Sequence, residues 1–247
     1  MTDRRRGVSL IELLVAVAVV AALVGLLLPA VQKVRASAAR IACHDRLRQQ
    51  GLAVLGYEAA KGRLPPGGVA GPFDPVGAPD GSVHGLWAVV RGQLGEDRPY
   101  TFAVSWDHPD NAAAVAGRVA AVECPSTPDA PTAGGPLIVN SFLADLLGLP
   151  SSAGCEGPLP VNGRVRLTDI TDGAANTILV VPGCGRAGLA WAAPETSVPV
   201  RELPGVAAHG GIGLGMADGS VRQVRADTPL AVLAALATRA GGEAVGE

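Results

Sequence analysis

Aromatic side chains are scarce: three Trp, two Tyr and three Phe in 247 residues. A core cannot rest on large rings here, so Val, Ala and Leu must fill most of it. A concentrated basic face is also missing from most of the chain. Residues 1–50 hold eight Lys and Arg against three Asp and Glu, and residues 51–247 hold twelve against nineteen. A body this mildly acidic argues against nucleic acid as a partner, because phosphate binding needs clustered cations. Cys43, Cys124, Cys155 and Cys184 stand far apart, with no CxxC pair and no His at ligand spacing, which argues against zinc. No HExxH helix, phosphate loop or nucleophile–base set occurs, and Gly213-Leu214-Gly215 has too little around it to be a dinucleotide fingerprint. The sequence therefore predicts a protein that is not an enzyme and carries no cofactor and no metal. What is plentiful is Gly and Pro, 53 residues together, which favours a turn-rich body containing β-structure. The length suffices for one large domain or two small ones with a real core.

The N-terminus departs from this composition. Met1–Gly7 is short and basic, with Arg4, Arg5 and Arg6 in a row, and Val8–Leu28 then runs for 21 residues with one charge, Glu12. As a helix that run is about 31 Å long, enough to cross a hydrocarbon core. An ordinary signal peptide or signal anchor is one reading, and Ala36-Ser37-Ala38 offers it a cleavage site. Against it, the apolar run exceeds the roughly 7–15 residues usual in signal peptides. Glu12 is equally out of place there. A carboxylate in a membrane helix costs about 3 kcal/mol at the bilayer centre and less near an end, so it calls for a partner. Cleavage between Gly7 and Val8 would supply one: a neighbouring subunit's new amino terminus, set four residues upstream of that subunit's own Glu12.

Arg6-Gly7-Val8-Ser9-Leu10-Ile11-Glu12-Leu13 resembles the prepilin cleavage and methylation motif of type IV pilins and type II secretion pseudopilins. The resemblance implies cutting after Gly7 by a prepilin peptidase, methylation of Val8 where Phe is usual, and an assembly role for Glu12. Pro29 falls where many such proteins place a helix-weakening proline. The positive-inside rule does not orient the segment, since Arg4–Arg6 face Lys33, Arg35 and Arg40 across it. The resemblance implies a single pass through the inner membrane with the body in the periplasm or on the cell surface. In that oxidising compartment Cys43, Cys124, Cys155 and Cys184 become disulfide candidates, with three full connectivities open and Cys43–Cys124 and Cys155–Cys184 preferred.

Beyond Pro29 the helical spacing continues through Val31, Val34, Ala38 and Ile41, then more weakly through Leu47, Leu52 and Leu55 towards Tyr57. Gly62 and Pro65-Pro66-Gly67-Gly68 stop it, so one helix is expected from about Val8 to Ala60, with coiled-coil pairing as the rival reading. Residues 65–82 read as loop. Strand-like runs follow at Val83–Val90, Tyr100–Trp106, Arg118–Cys124, Val165–Ile170 and Thr177–Val181. A last pair, Ile212–Ala217 and Val221–Arg225, flanks the hairpin signal Asp218-Gly219. A closing helix is expected over Leu230–Arg239, capped by Thr228 with Pro229 first. The fold class is α+β: a long N-terminal helix, half transmembrane and half stalk, packed on a β-rich C-terminal domain that ends in a short helix. The corresponding divisions are a leader at 1–7, a spanning helix at 8–28, a stalk at 29–60 and an extracytoplasmic domain at 61–247.

Several blocks resemble a large family of prepilin-like proteins whose body is catalogued as a domain of unknown function. They include Cys43 in the stalk, Tyr57 before Pro65-Pro66-Gly67, Cys124-Pro125-Ser126, and Thr168–Gly173 leading to Asn176-Thr177. His209-Gly210-Gly211, Ala217–Arg222 and Thr238–Glu243 complete the set. Eight residues separate His209 from Asp218 where the family has nine, and Pro182 replaces a usual Glu. The resemblance implies a structural subunit whose partners are other pilin-like subunits. The alternative is a surface binding module that uses the prepilin route only for export and anchoring. His209 reads either as a ligand or base or, preferentially, as a hydrogen-bonding residue steering a loop, with Asp218 and Gly219 as the turn it serves. Asp169, Asp172 and Asn176 offer oxygens for calcium, but they lack EF-hand spacing and Asp-Gly turns explain them equally.

Overall fold

The computed structural model describes residues 10–71, 81–122, 137–138, 157–160, 162–181, 190–193 and 211–242. Helix α1 spans Leu10–Lys61 without a break, about 78 Å at the usual rise. It runs through Pro29, which removes one helical hydrogen bond and places its ring against the carbonyl of residue 25; Gly25 there adds no side chain to the crowding. After α1 come β1 (Gly68–Ala70), β2 (Val83–Gly85), α2 (Leu86–Val89) and α3 (Pro109–Val115). The remaining elements are β3 (Leu137–Ile138), β4 (Ile178–Val181), β5 (Ile212–Met216), β6 (Val221–Val224) and α4 (Leu230–Ala237). β1 and β2 pair antiparallel, and a second antiparallel sheet has the order β3-β4-β5-β6.

This four-stranded sheet is covered on both faces. Ile212, Leu214 and Met216 of β5 pack with Leu233, Leu236 and Ala237 of α4. The alternate positions, Gly213 and Gly215, lie under α1: a β-carbon on Gly213 would come 3.0 Å from Leu47 Cδ1. A strand reading large-Gly-large-Gly-large thus gives α4 a hydrophobic face and gives α1 a shallow bed. A bulge in β4 between Ile178 and Val180 lets Ile178 and Val181 join the α4 side while Leu179 and Val180 join the α1 side.

The body-facing seam of α1 is Cys43, Leu47, Gln50, Val54 and Tyr57, all buried and spaced alternately four and three residues apart. The expected stripe through Val31, Val34, Ala38 and Ile41 is instead exposed, on the opposite side of the helix. Within the seam, Gln50 Nε2 donates to the Ala121 carbonyl at 2.6 Å and fastens the 3-10 turn Ala120–Val122 to α1.

Other expected strands resolve differently. Val83–Val90 is strand only to Gly85; Leu86, Trp87 and Ala88 are all buried, so the run has no polar face with which to show its helical turn. Tyr100–Trp106 forms turns, because fully buried Asn111 takes the place of a partner strand. It accepts from Thr101 N at 2.9 Å and donates to the carbonyls of Thr101 at 2.9 Å and Ser105 at 3.1 Å. The described part of Arg118–Cys124 holds the turn Ala120–Val122, and Val165–Ile170 holds another at Leu167–Asp169. β1 lies inside the expected 65–82 loop. At α4, Pro229 occupies the N-cap, while Thr228 Oγ1 donates back to the Arg225 carbonyl at 2.7 Å and caps nothing.

Candidate processing and assembly segment

Gly7 and Val8 lie outside the described residues, as do Cys124, Cys155, Cys184 and His209. Glu12 falls in the first turn of α1, where an acid complements the positive end of the helix dipole. It is exposed, and it sits in a helix whose large apolar residues from Leu10 to Leu28 stand more than half exposed, Leu10 at 79%. Among the described residues no part of the body covers them. Nineteen residues at 10–28 make about 28 Å, close to one hydrocarbon thickness. This is one helix long and apolar enough to cross a membrane, at the N-terminal end of the described chain, and it fits a single-pass anchor. The helix runs unbroken through Ala36-Ser37-Ala38.

The stalk then enters the body, where Cys43 is a buried free thiol, its pKa pushed up by desolvation against the weaker opposing effect of Arg46. Cys43 lies in the helix–body seam, packed as a small apolar side chain, and its preferred partner Cys124 falls outside the described residues.

Asp218 and Gly219 form the tip of the β5–β6 hairpin. Met216 N donates to Ser220 O at 2.9 Å, Gly219 N to Met216 O at 3.0 Å, and Ser220 N to Asp218 Oδ1 at 2.8 Å. Gly219 takes φ 81°, the left-handed conformation this three-residue loop requires. The tip also touches the stalk: a β-carbon on Gly51 of α1 would stand 3.2 Å from the Gly219 α-carbon. The two glycines let helix and turn meet backbone to backbone.

The carboxylate oxygens considered for calcium are engaged with the chain itself. Asp169 accepts from Arg166 N at 2.9 Å and pairs with the Arg166 guanidinium at 3.1 Å; the backbone bond first, then the side-chain bond, lower its carboxyl pKa. Asp172 binds the C-terminal segment, accepting from Gly241 N at 2.7 Å, Gly242 N at 3.1 Å and Thr238 Oγ1 at 3.4 Å. Asn176 Nδ2 turns back to the Asp172 carbonyl at 3.5 Å. Among the described residues no three His, Cys, Asp or Glu side chains are grouped to hold a metal ion.

A buried polar cluster has no counterpart in the sequence reading. His84, fully buried on β2, shares a 2.7 Å hydrogen bond with Tyr100 Oη and stacks edge-on against Phe102 with centroids 4.9 Å apart. Arg91 lies over the Tyr100 ring at 5.7 Å. Burial lowers the His84 pKa, and burial raises that of Tyr100. Only their meeting in space marks these residues, since Arg91, Tyr100 and Trp191, whose ring stands 6.0 Å from that of Tyr100, come from separate segments. Beside them opens a cleft of about 610 Å³ whose lining includes Tyr57, Lys61, Arg91, Gln93, Asp97 and Phe102.

Two family models match the chain. Residues 2–28 match the prokaryotic N-terminal methylation motif, and residues 32–199 match a family described as protein of unknown function (DUF1559). The second match ends before the His209, Ala217–Arg222 and Thr238–Glu243 blocks. No curated protein and no solved structure matches the chain.

Proposed function

We propose, for a chain that belongs to the DUF1559 family and opens with a prokaryotic N-terminal methylation motif, a structural role as a membrane-anchored pilin- or pseudopilin-like subunit. The motif points to a type IV pilin- or pseudopilin-like precursor, processed by a prepilin peptidase and associated with a membrane. The finer reading places the mature chain in the inner membrane, its body in the periplasm or on the surface. There it joins a type II secretion or type IV pilus-like assembly with other pilin-like subunits. One observation carries this: Glu12 sits five residues after Gly7 on a helix end that the described residues of the body leave bare. A carboxylate within a membrane helix is costly in lipid, and a neighbour's amino terminus would supply it a counter-charge. A non-catalytic role is supported by the carboxylates of Asp169, Asp172 and Asp218, which accept from backbone amides.

Mass spectrometry of the mature protein should find an N-methylated Val8, and Gly7→Trp should leave the precursor uncut. Glu12→Leu should insert as well as wild type or better, while crosslinking between copies in intact cells falls. A mature start after Ala38, or undiminished crosslinking in the Glu12 variant, would remove the pilin reading. The cleft beside Tyr57 favours the second reading, a surface binding module, which requires no contact between copies.

A further inference from the structure

Above the apolar run, α1 carries cations that the described residues of the body do not neutralise. Lys33, Arg35 and Arg40 are exposed, and among the described residues no carboxylate pairs with any of them. Along α1 no Asp or Glu occurs between Glu12 and Asp45. Measured from Leu28, the three cations stand roughly 7, 10 and 18 Å up the helix axis. A headgroup layer adds about 5–8 Å to each side of the hydrocarbon core. Helical side chains lean towards the N-terminus, here towards the membrane, so the long stems of Lys33 and Arg35 reach back to that layer, and Arg40, one to two turns higher, lies within a Debye length of it.

Their placement around the helix selects the partner. Lys33 and Arg40, seven residues apart, lie within about 20° of each other, while Arg35 lies about 200° from Lys33. A protein surface docks on one side of a helix, whereas headgroups surround it. These charges also oppose the orienting effect of Arg4–Arg6 on the other side of the span, an opposition that anionic headgroups would offset. Resting on the membrane-anchor reading, we propose that Lys33, Arg35 and Arg40 form a collar that binds the phosphates of anionic phospholipids where α1 leaves the bilayer. The collar sets the depth of α1 and keeps Pro29 at the interface.

The test uses the full mature chain in non-ionic detergent, offered equal phosphatidylglycerol and phosphatidylcholine, with retained lipids counted by native mass spectrometry. Each cation near an anionic surface is worth about fivefold in affinity, so wild type should prefer phosphatidylglycerol at least about fivefold. The preference should shrink in about 0.5 M salt. K33Q/R35Q/R40Q should retain both lipids equally at unchanged helix content, whereas R48Q, well above the headgroups, should keep the preference. Equal retention by wild type, a preference that survives the triple substitution, or an equal loss in R48Q would overturn the collar. Incorporation into neutral phosphatidylcholine vesicles reports on the anchor separately: a wild-type chain that enters them but shows no lipid preference retains its anchor and loses its collar.

Discussion

Cutting the chain at the foot of the stalk should unfold the body. A fragment of residues 62–247 keeps both sheets and removes the wall against which β4 and β5 pack. Leu47, Val54 and Tyr57 are no more than 4% exposed and belong to the main core cluster with Leu179, Val180 and Trp87. Burying each such side chain contributes about 1.5–3 kcal/mol, so losing three removes roughly 5–9 kcal/mol. The loss of Cys43, Ala53 and the Gln50–Ala121 hydrogen bond adds to this. A whole domain is stable by only about 5–15 kcal/mol. A second fragment, residues 35–247, drops the apolar run but keeps the seam. Urea unfolding followed by the fluorescence of Trp87 and Trp191, both buried, compares them. Fragment 35–247 should unfold in one cooperative transition, and fragment 62–247 should show none. A cooperative transition of 62–247 at the same midpoint would refute the assignment of α1 to the core.

In fragment 35–247, Gly219→Val should cost about 1–3 kcal/mol, because a β-branched residue is forced into left-handed φ. Gly219→Asn should cost about 1 kcal/mol or less, and equal effects in urea unfolding would show that the φ of 81° is not what the turn needs. His84 should make stability pH-dependent. Its folded pKa is lowered from 6.5 chiefly by burial, so the unfolded chain takes up the proton first as pH falls. Stability should be full above about pH 6.5 and decline below it, with His84→Gln flattening the slope. An unchanged slope in the variant would assign the dependence to other groups.

The long helix, the membrane run and the hairpin at Asp218-Gly219 were legible in the sequence because their causes are local. An apolar stretch sets its own length, and a positive-φ glycine flanked by strand-forming residues marks its own turn. The placement of Glu12 relative to Gly7 is likewise a matter of spacing along the chain. The face of the stalk that meets the body was decided by tertiary structure. Val31, Val34, Ala38 and Ile41 have helical spacing but nothing to pack on, whereas Gln50 lies in the seam because Ala121, 71 residues away, offers a carbonyl. Asp172 reads as a turn residue or metal ligand until Gly241, 69 residues further on, brings it an amide. Asn111 changed an expected strand into turns by supplying the bonds of a missing neighbour. In each case the deciding group is distant in sequence or is a side chain standing in for backbone. Periodicity records which residues prefer burial, and the folded chain determines which of them find a partner.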